Sequence, residues 1–164
     1  MIDSLMALNI TRHVAGQRVS SACESVSVNR LIDAVASSPL DDSPPDIVLR
    51  TDRATAFSTA GWWPNDHGHV LVIPNTHYEN IFDLPPEFGH AVHDVVRQVV
   101  LAMRAVYGCD GVSARQRNEP AGGQDFWHHT HVLPRHHGDD PYRSHLMAGY
   151  ATAEQRSVYT DRLR

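Results

Sequence analysis

Gln124-Asp125-Phe126-Trp127-His128-His129-Thr130-His131-Val132-Leu133-Pro134-Arg135 places three histidines within four residues. The Phe, Trp, Thr, Val and Leu around them favour extended backbone. Side chains alternate along a strand, so His129 and His131 share one face while His128 points to the other. Two imidazoles side by side, after the Gly-rich stretch Ala121-Gly122-Gly123, form a pattern in which one histidine reacts and another assists.

The elements on either side can be read outward from this strand. Gly111-Val112-Ser113-Ala114-Arg115-Gln116 reads as a neighbouring strand, joined to it by a loop over 118–123. Before that, Pro85 and Pro86 open a helix with Asp83 as its cap. Phe88, Val92, Val95, Val96, Val99, Met103 and Val106 recur at helical spacing and mark its buried face. His90, His93, Arg97 and Arg104 lie off that face and read as solvated, and Gly108 ends the helix. Residues 69–74 form a strongly apolar, central strand after a loop over 61–68. Residues 47–50 and 55–58 read as two short strands turned at Asp52-Arg53. Downstream come a polar loop over 136–141 and a short helix over 152–163. This order fits an α+β domain: an antiparallel sheet with one long helix and a short C-terminal helix. Residues 1–45 end in Leu40-Asp41-Asp42-Ser43-Pro44-Pro45 and read as an N-terminal appendage or partner-contacting arm, with Asn29 capping a short helix through Ser37. The domain proper is expected over 46–164.

Composition narrows the function classes. A chain of 164 residues suits one domain with a hydrophobic core. The formal net charge of -5 comes without a basic block, which argues against a nucleic-acid polymer as partner. A local phosphate site needs no global charge, because backbone amides and neutral imidazoles can hold it. All 14 cationic residues are arginine, so Schiff-base and phosphate-loop lysine chemistry are excluded. Cys23 and Cys109 form no Cys-x-x-Cys pair, which argues against a disulfide framework or a Cys-rich zinc site and makes a reducing cytoplasm the default. No stretch approaches the roughly 20 apolar residues of a membrane span, and no signal peptide is evident, so no membrane partner is expected.

Gly68-His69-Val70-Leu71-Val72-Ile73-Pro74-x-x-His77, then Asn118-Glu119-Pro120, Gly123-Gln124-Asp125 and His129-x-His131-Val132-Leu133-Pro134-Arg135, together resemble the histidine-triad (HIT) superfamily over roughly residues 46–140. Several ordered segments carry the resemblance, which makes it far more specific than one motif. It implies an α+β fold, usually a homodimer, acting on nucleotides or nucleotide conjugates at the α-phosphate without a cofactor. The chemistry also stands by itself. A neutral imidazole is a good nucleophile near pH 7, and its phosphoramidate can be opened by water or another acceptor. By position, His129 matches the family's nucleophile and His131 its supporting histidine. Asn118 and Gln124 match residues contacting the phosphate or leaving group, with Gly123 and Asp125 beside them. His69 matches a site behind the catalytic histidine, and Val48, Phe57 and Trp62 would lie near the nucleoside, Trp62 being the best candidate to flank a base.

Two departures follow. The family spacing is His-x-His-x-His, whereas strict alternation here puts Trp127 at the first-histidine position. A one-residue deletion would instead put His128 there by bending the strand, which makes His128 a further catalytic candidate. Zinc-bearing members use a Cys-x-x-Cys pair, the histidine matching His77 and the first histidine of the triad. Without the Cys pair, no structural zinc is expected. The resulting expectation is a hydrolase of nucleotide phosphoanhydrides or phosphoramidates, or a nucleotidyl transferase, working through His129. The alternatives are a relative that binds nucleotide without turnover, and one recruited to another substrate.

Overall fold

Strand alternation and one apolar helical stripe together build the scaffold of the protein. The computed structural model describes residues 46–59, 61–62, 67–122, 127–139 and 149–164. The expected appendage over 1–45, with its Asn29–Ser37 helix, lies outside the described residues. Five strands, β1 (Ile47–Arg50), β2 (Ala54–Ser58), β4 (Val70–Pro74), β5 (Gly111–Gln116) and β6 (Thr130–Arg135), form an antiparallel sheet in the order β1-β2-β4-β6-β5. Two shorter strands, β3 (Gly61–Trp62) and β7 (Gly149–Tyr150), pair with each other. The expected loop over 61–68 therefore begins with a strand.

Helix α1 (Pro86–Val106) lays Val92, Val95, Val96, Val99 and Met103 on the sheet. They meet Val48, Ala54, Ala56, Val70, Val72 and Val132 in the main core. Pro85, not Asp83, caps the helix; its fixed φ and missing N–H suit that end without any side-chain bond. Gly108, with φ +68°, follows the C-cap residue Tyr107. Residues Glu119–Gly122 form one helical turn, α2, rather than an open loop, with Glu119 at φ +61°.

The C-terminal helix α3 (Ala153–Leu163) starts at a capping box between Thr152 and Gln155. Arg156 grips the carboxylate of Asp46 with two hydrogen bonds of 2.7 and 2.8 Å, and Ser58 Oγ meets Thr160 Oγ1 at 2.7 Å. These contacts tie α3 to the start of β1 and the end of β2. Gly68 lies where α1 and α3 converge. A Cβ there would stand 2.6 Å from Tyr107 and 2.8 Å from Tyr159, and its φ of +91° also requires glycine. The turn thus delivers His69 at a fixed height beside β4. No helix among the described residues is long and apolar enough to cross a membrane.

Candidate active site

Helices cover one face of the sheet; the histidines that matter lie on the other. Register defines their neighbours. Phe57 pairs with Leu71, Leu71 with His131, and His131 with Arg115, making one continuous row across β2, β4, β6 and β5. His69, two residues before Leu71, is the diagonal neighbour of His131 on the same face. Phe57, Leu71 and Ile73 form a small second core, against which Trp127 packs.

Three imidazoles make a linear chain. His129 Nδ1 lies 2.6 Å from the carbonyl of Trp127, and its Nε2 lies 3.1 Å from Nε2 of His131. His131 Nδ1 lies 3.0 Å from Nε2 of His69, whose Nδ1 lies 3.1 Å from the carbonyl of Gly61. Carbonyls only accept, so each end histidine carries its hydrogen on Nδ1 and turns an Nε2 lone pair toward His131. A neutral His131 has one hydrogen for these two lone pairs. It is the pivot of the chain, donating either to His129 or to His69.

Burial keeps this chain uncharged. His69 is 3% exposed and His131 4%. Burial lowers the pKa of His69 from 6.5 to about 3, against a smaller upward pull from the Gly61 carbonyl. Burial also holds His131 well below its ordinary value, and the neighbouring His69, His129, Arg115 and Arg117 add to the effect. His129 is half-buried. Its Nε2 is the lone pair of the chain that a substrate can reach when His131 turns its hydrogen toward His69.

His128 is not part of this group. Only 3% exposed, it lines a groove of about 360 Å³ with Leu84, Val92 and Val96, on the helix side of the sheet. Its Nδ1 lies 3.4 Å from the Gln116 amide, its backbone N–H donates to the Tyr78 carbonyl, and burial lowers its pKa to about 4. The structure thus places this catalytic candidate on the helix side of the sheet, away from the other histidines, while Trp127 packs on the histidine face; β6 itself begins only at Thr130.

The other candidates divide. Asn118 exchanges amide hydrogen bonds with Gln116 and accepts the N–H of Ile81. Its side chain therefore braces the β4–α1 connection instead of offering an open amide to a phosphate. Trp62 is buried, stacked on His67 at 4.8 Å and edge-on to Tyr159 at 5.2 Å, which commits one ring face to His67. Phe57 lies on the histidine face, but as fully buried floor. Val48 departs from expectation, because a register shift between Ile47 and Leu49 turns it into the helix-side core. His69 stands behind His131 and is too buried to touch substrate. Gly123, Gln124 and Asp125 lie outside the described residues. Arg115 and Arg117 were missed: both are half-buried and close enough to depress the His131 pKa.

The HIT domain family matches residues 41–138. The chain belongs to the HIT family. Among its HIT relatives, an uncharacterized HIT-like protein of Saccharolobus solfataricus is 32% identical over 89 residues, 54% of this chain and 63% of that one. An adenylylsulfatase of Arabidopsis thaliana is 34% identical over 77 residues, 46% of this chain and 39% of that one. The chain thus spans less than two thirds of the length of either. The crystal structure of a Hit-like protein involved in cell-cycle regulation from Bartonella henselae superimposes with a TM-score of 0.66 at 25% identity, covering 84% of this chain and 92% of that one.

The zinc of some HIT proteins does not fit the residues here. His77 meets the edge of the Trp127 indole, ring centroids 4.6 Å apart, and an indole is no metal ligand. Among the described residues, no group of three or more His, Cys, Asp or Glu side chains is placed to hold a metal ion. A closed zinc site wants four ligands.

Proposed function

We propose that this HIT protein is a hydrolase or nucleotidyl transferase acting at the α-phosphate of a nucleotide or nucleotide conjugate, with His129 Nε2 as nucleophile. The observation that carries the reading is the 2.6 Å contact from His129 Nδ1 to the Trp127 carbonyl. It fixes the tautomer and directs the Nε2 lone pair away from the backbone. His131 supports attack by carrying its hydrogen on Nδ1, donated to His69, which frees the His129 Nε2 lone pair and holds the His131 ring from behind. The adenylylsulfatase relative acts on a compound of the same class, a nucleotide joined to another acid through its α-phosphate. Rapid quenching after mixing with an adenosine 5′-phosphate ester is expected to add one adenylyl mass to the chain, on the peptide bearing His129. Nucleotide binding without that adduct would favour the non-hydrolytic alternative, to which Trp127 at the first-histidine position lends some support.

His128 has no step in this scheme. His128→Ala is expected to leave kcat/KM within about tenfold, under about 1.4 kcal/mol in barrier terms, while lowering stability by about 1–2 kcal/mol through the vacated groove. Steady-state kinetics and urea unfolding on the same sample measure both; a hundredfold loss of rate would return His128 to the catalytic group. A homodimer belongs to the same proposal. Strand β5 ends the five-stranded sheet and offers its outer edge for pairing with a second copy. Light scattering is expected to give twice the 18.3 kDa chain mass, and a monomer would remove the dimer from the reading. A cytoplasmic location is proposed with it.

A further inference from the structure

Two arginines lie beside the histidine row. Arg115 is the register partner of His131, and Arg117 follows it by two residues, one past the end of the same strand. The register puts Arg115 on the histidine face, and Arg117 is close enough to depress the His131 pKa; adjacent strands stand about 5 Å apart, within a guanidinium's reach of a group bound at His129. The row Phe57–Leu71–His131–Arg115 therefore grades from apolar on β2 and β4 to cationic on β5. A second observation concerns protons. Trp127 occupies the first-histidine position, His128 faces the helix, and the single His131 hydrogen is already claimed by two lone pairs. Among the described residues on this face, the two arginines carry fixed positive charge and the histidines have little proton to donate.

We propose that Arg115 and Arg117 are the specificity-determining residues of this site, selecting substrates whose leaving group is a weakly basic oxyanion, such as sulfate or the phosphate of a polyphosphate, over those that release an amine. This rests on His129 being the nucleophile. As the His129 Nε2 lone pair forms the N–P bond, the bond from phosphorus to the leaving group breaks, and its electron pair goes to the departing atom. A sulfate or phosphate oxygen keeps that pair without a proton, and the guanidinium groups stabilise the charge as it develops. An amine nitrogen must gain a proton as it leaves. Water then attacks phosphorus, the P–N pair returns to Nε2, and the water's proton passes to solvent.

The test compares kcat/KM for adenosine 5′-phosphosulfate, diadenosine triphosphate and adenosine 5′-phosphoramidate in wild type, Arg117→Gln, Arg115→Gln and Arg117→Lys. Wild type is expected to favour the two anionic leaving groups by at least about tenfold. The glutamine variants should lower that ratio by about tenfold to a hundredfold, the scale of one lost charge-assisted transition-state contact. Arg117→Lys should retain most of it, and the size of the loss for sulfate against triphosphate reports which oxyanion the pair fits. If Arg115→Gln fails to fold, Arg117→Gln alone carries the comparison. A wild-type preference for the phosphoramidate, or equal losses on all three substrates, would overturn the proposal while leaving His129 as nucleophile. No turnover and no adduct on His129 with any of them would overturn both.

Discussion

His129→Ala is expected to lower turnover of every accepted substrate by at least about a thousandfold, with the fold retained. A methyl group can form no bond to phosphorus, so the two-step route closes and only positioning and charge stabilisation remain. The fold should survive because His129 is half-buried and its hydrogen bonds run to His131 and the Trp127 carbonyl, outside the main core. The expected signature has three parts: lost kcat, near-normal nucleotide binding, and no adenylyl mass on the chain. Binding by calorimetry and mass after rapid quench separate these. A variant that keeps near-normal rates would remove His129 from its role. One that binds no nucleotide would point to a structural role for its ring.

Long periodic segments were legible in the sequence. The apolar stripe of α1, the continuous apolar run of β4 and the extended character of β2 and β6 encode burial within a few residues of chain, and the observed elements follow them. Strand alternation put His129 with His131 and turned His128 away. What was not legible depends on partners distant in sequence. Strands β3 and β7 are two residues each and exist only through one another, so neither carries a period. The turn at Glu119 hides behind Pro120 and Gly122, residues that read as loop. Val48 needed the register shift in β1 to be seen. Asn118 was placed by resemblance, and nothing local in the chain announces that Gln116 and Ile81 would claim its amide. Arg115 and Arg117 did leave a signal, an Arg-x-Arg spacing that begins on the strand beside the histidines. Reading it needed the pairing of β5 with β6.

Acidification is expected to unfold the protein well above the pH at which carboxylates normally titrate. His69 and His128 have pKa values lowered to about 3 and about 4 by burial, and His131 is lowered too. In the unfolded chain each returns to about 6.5. Between those limits the unfolded state binds protons that the folded state refuses, so stability is greatest above pH 6.5 and falls as pH drops through the window toward 3–4. For His69 alone the loss at pH 5 is up to about 2 kcal/mol, from 1.5 units below the unfolded pKa. His131 and His128 act in the same direction, which makes the sum a large part of a stability that is typically 5–15 kcal/mol. Asp139, whose pKa is lowered chiefly by its hydrogen bond from Arg135, loses its contribution only at lower pH, so the histidine window stands clear of it. Urea unfolding at pH 7.5, 6.0 and 5.0 measures the slope, and His128→Ala should make it shallower by removing one group that takes up a proton on unfolding. A stability that stays flat from pH 7.5 to 5.0 would mean that the imidazole chain holds a proton when folded. His131 would then donate to both neighbours at once and leave the His129 lone pair engaged, so the same measurement bears on whether the nucleophile is poised in the free protein.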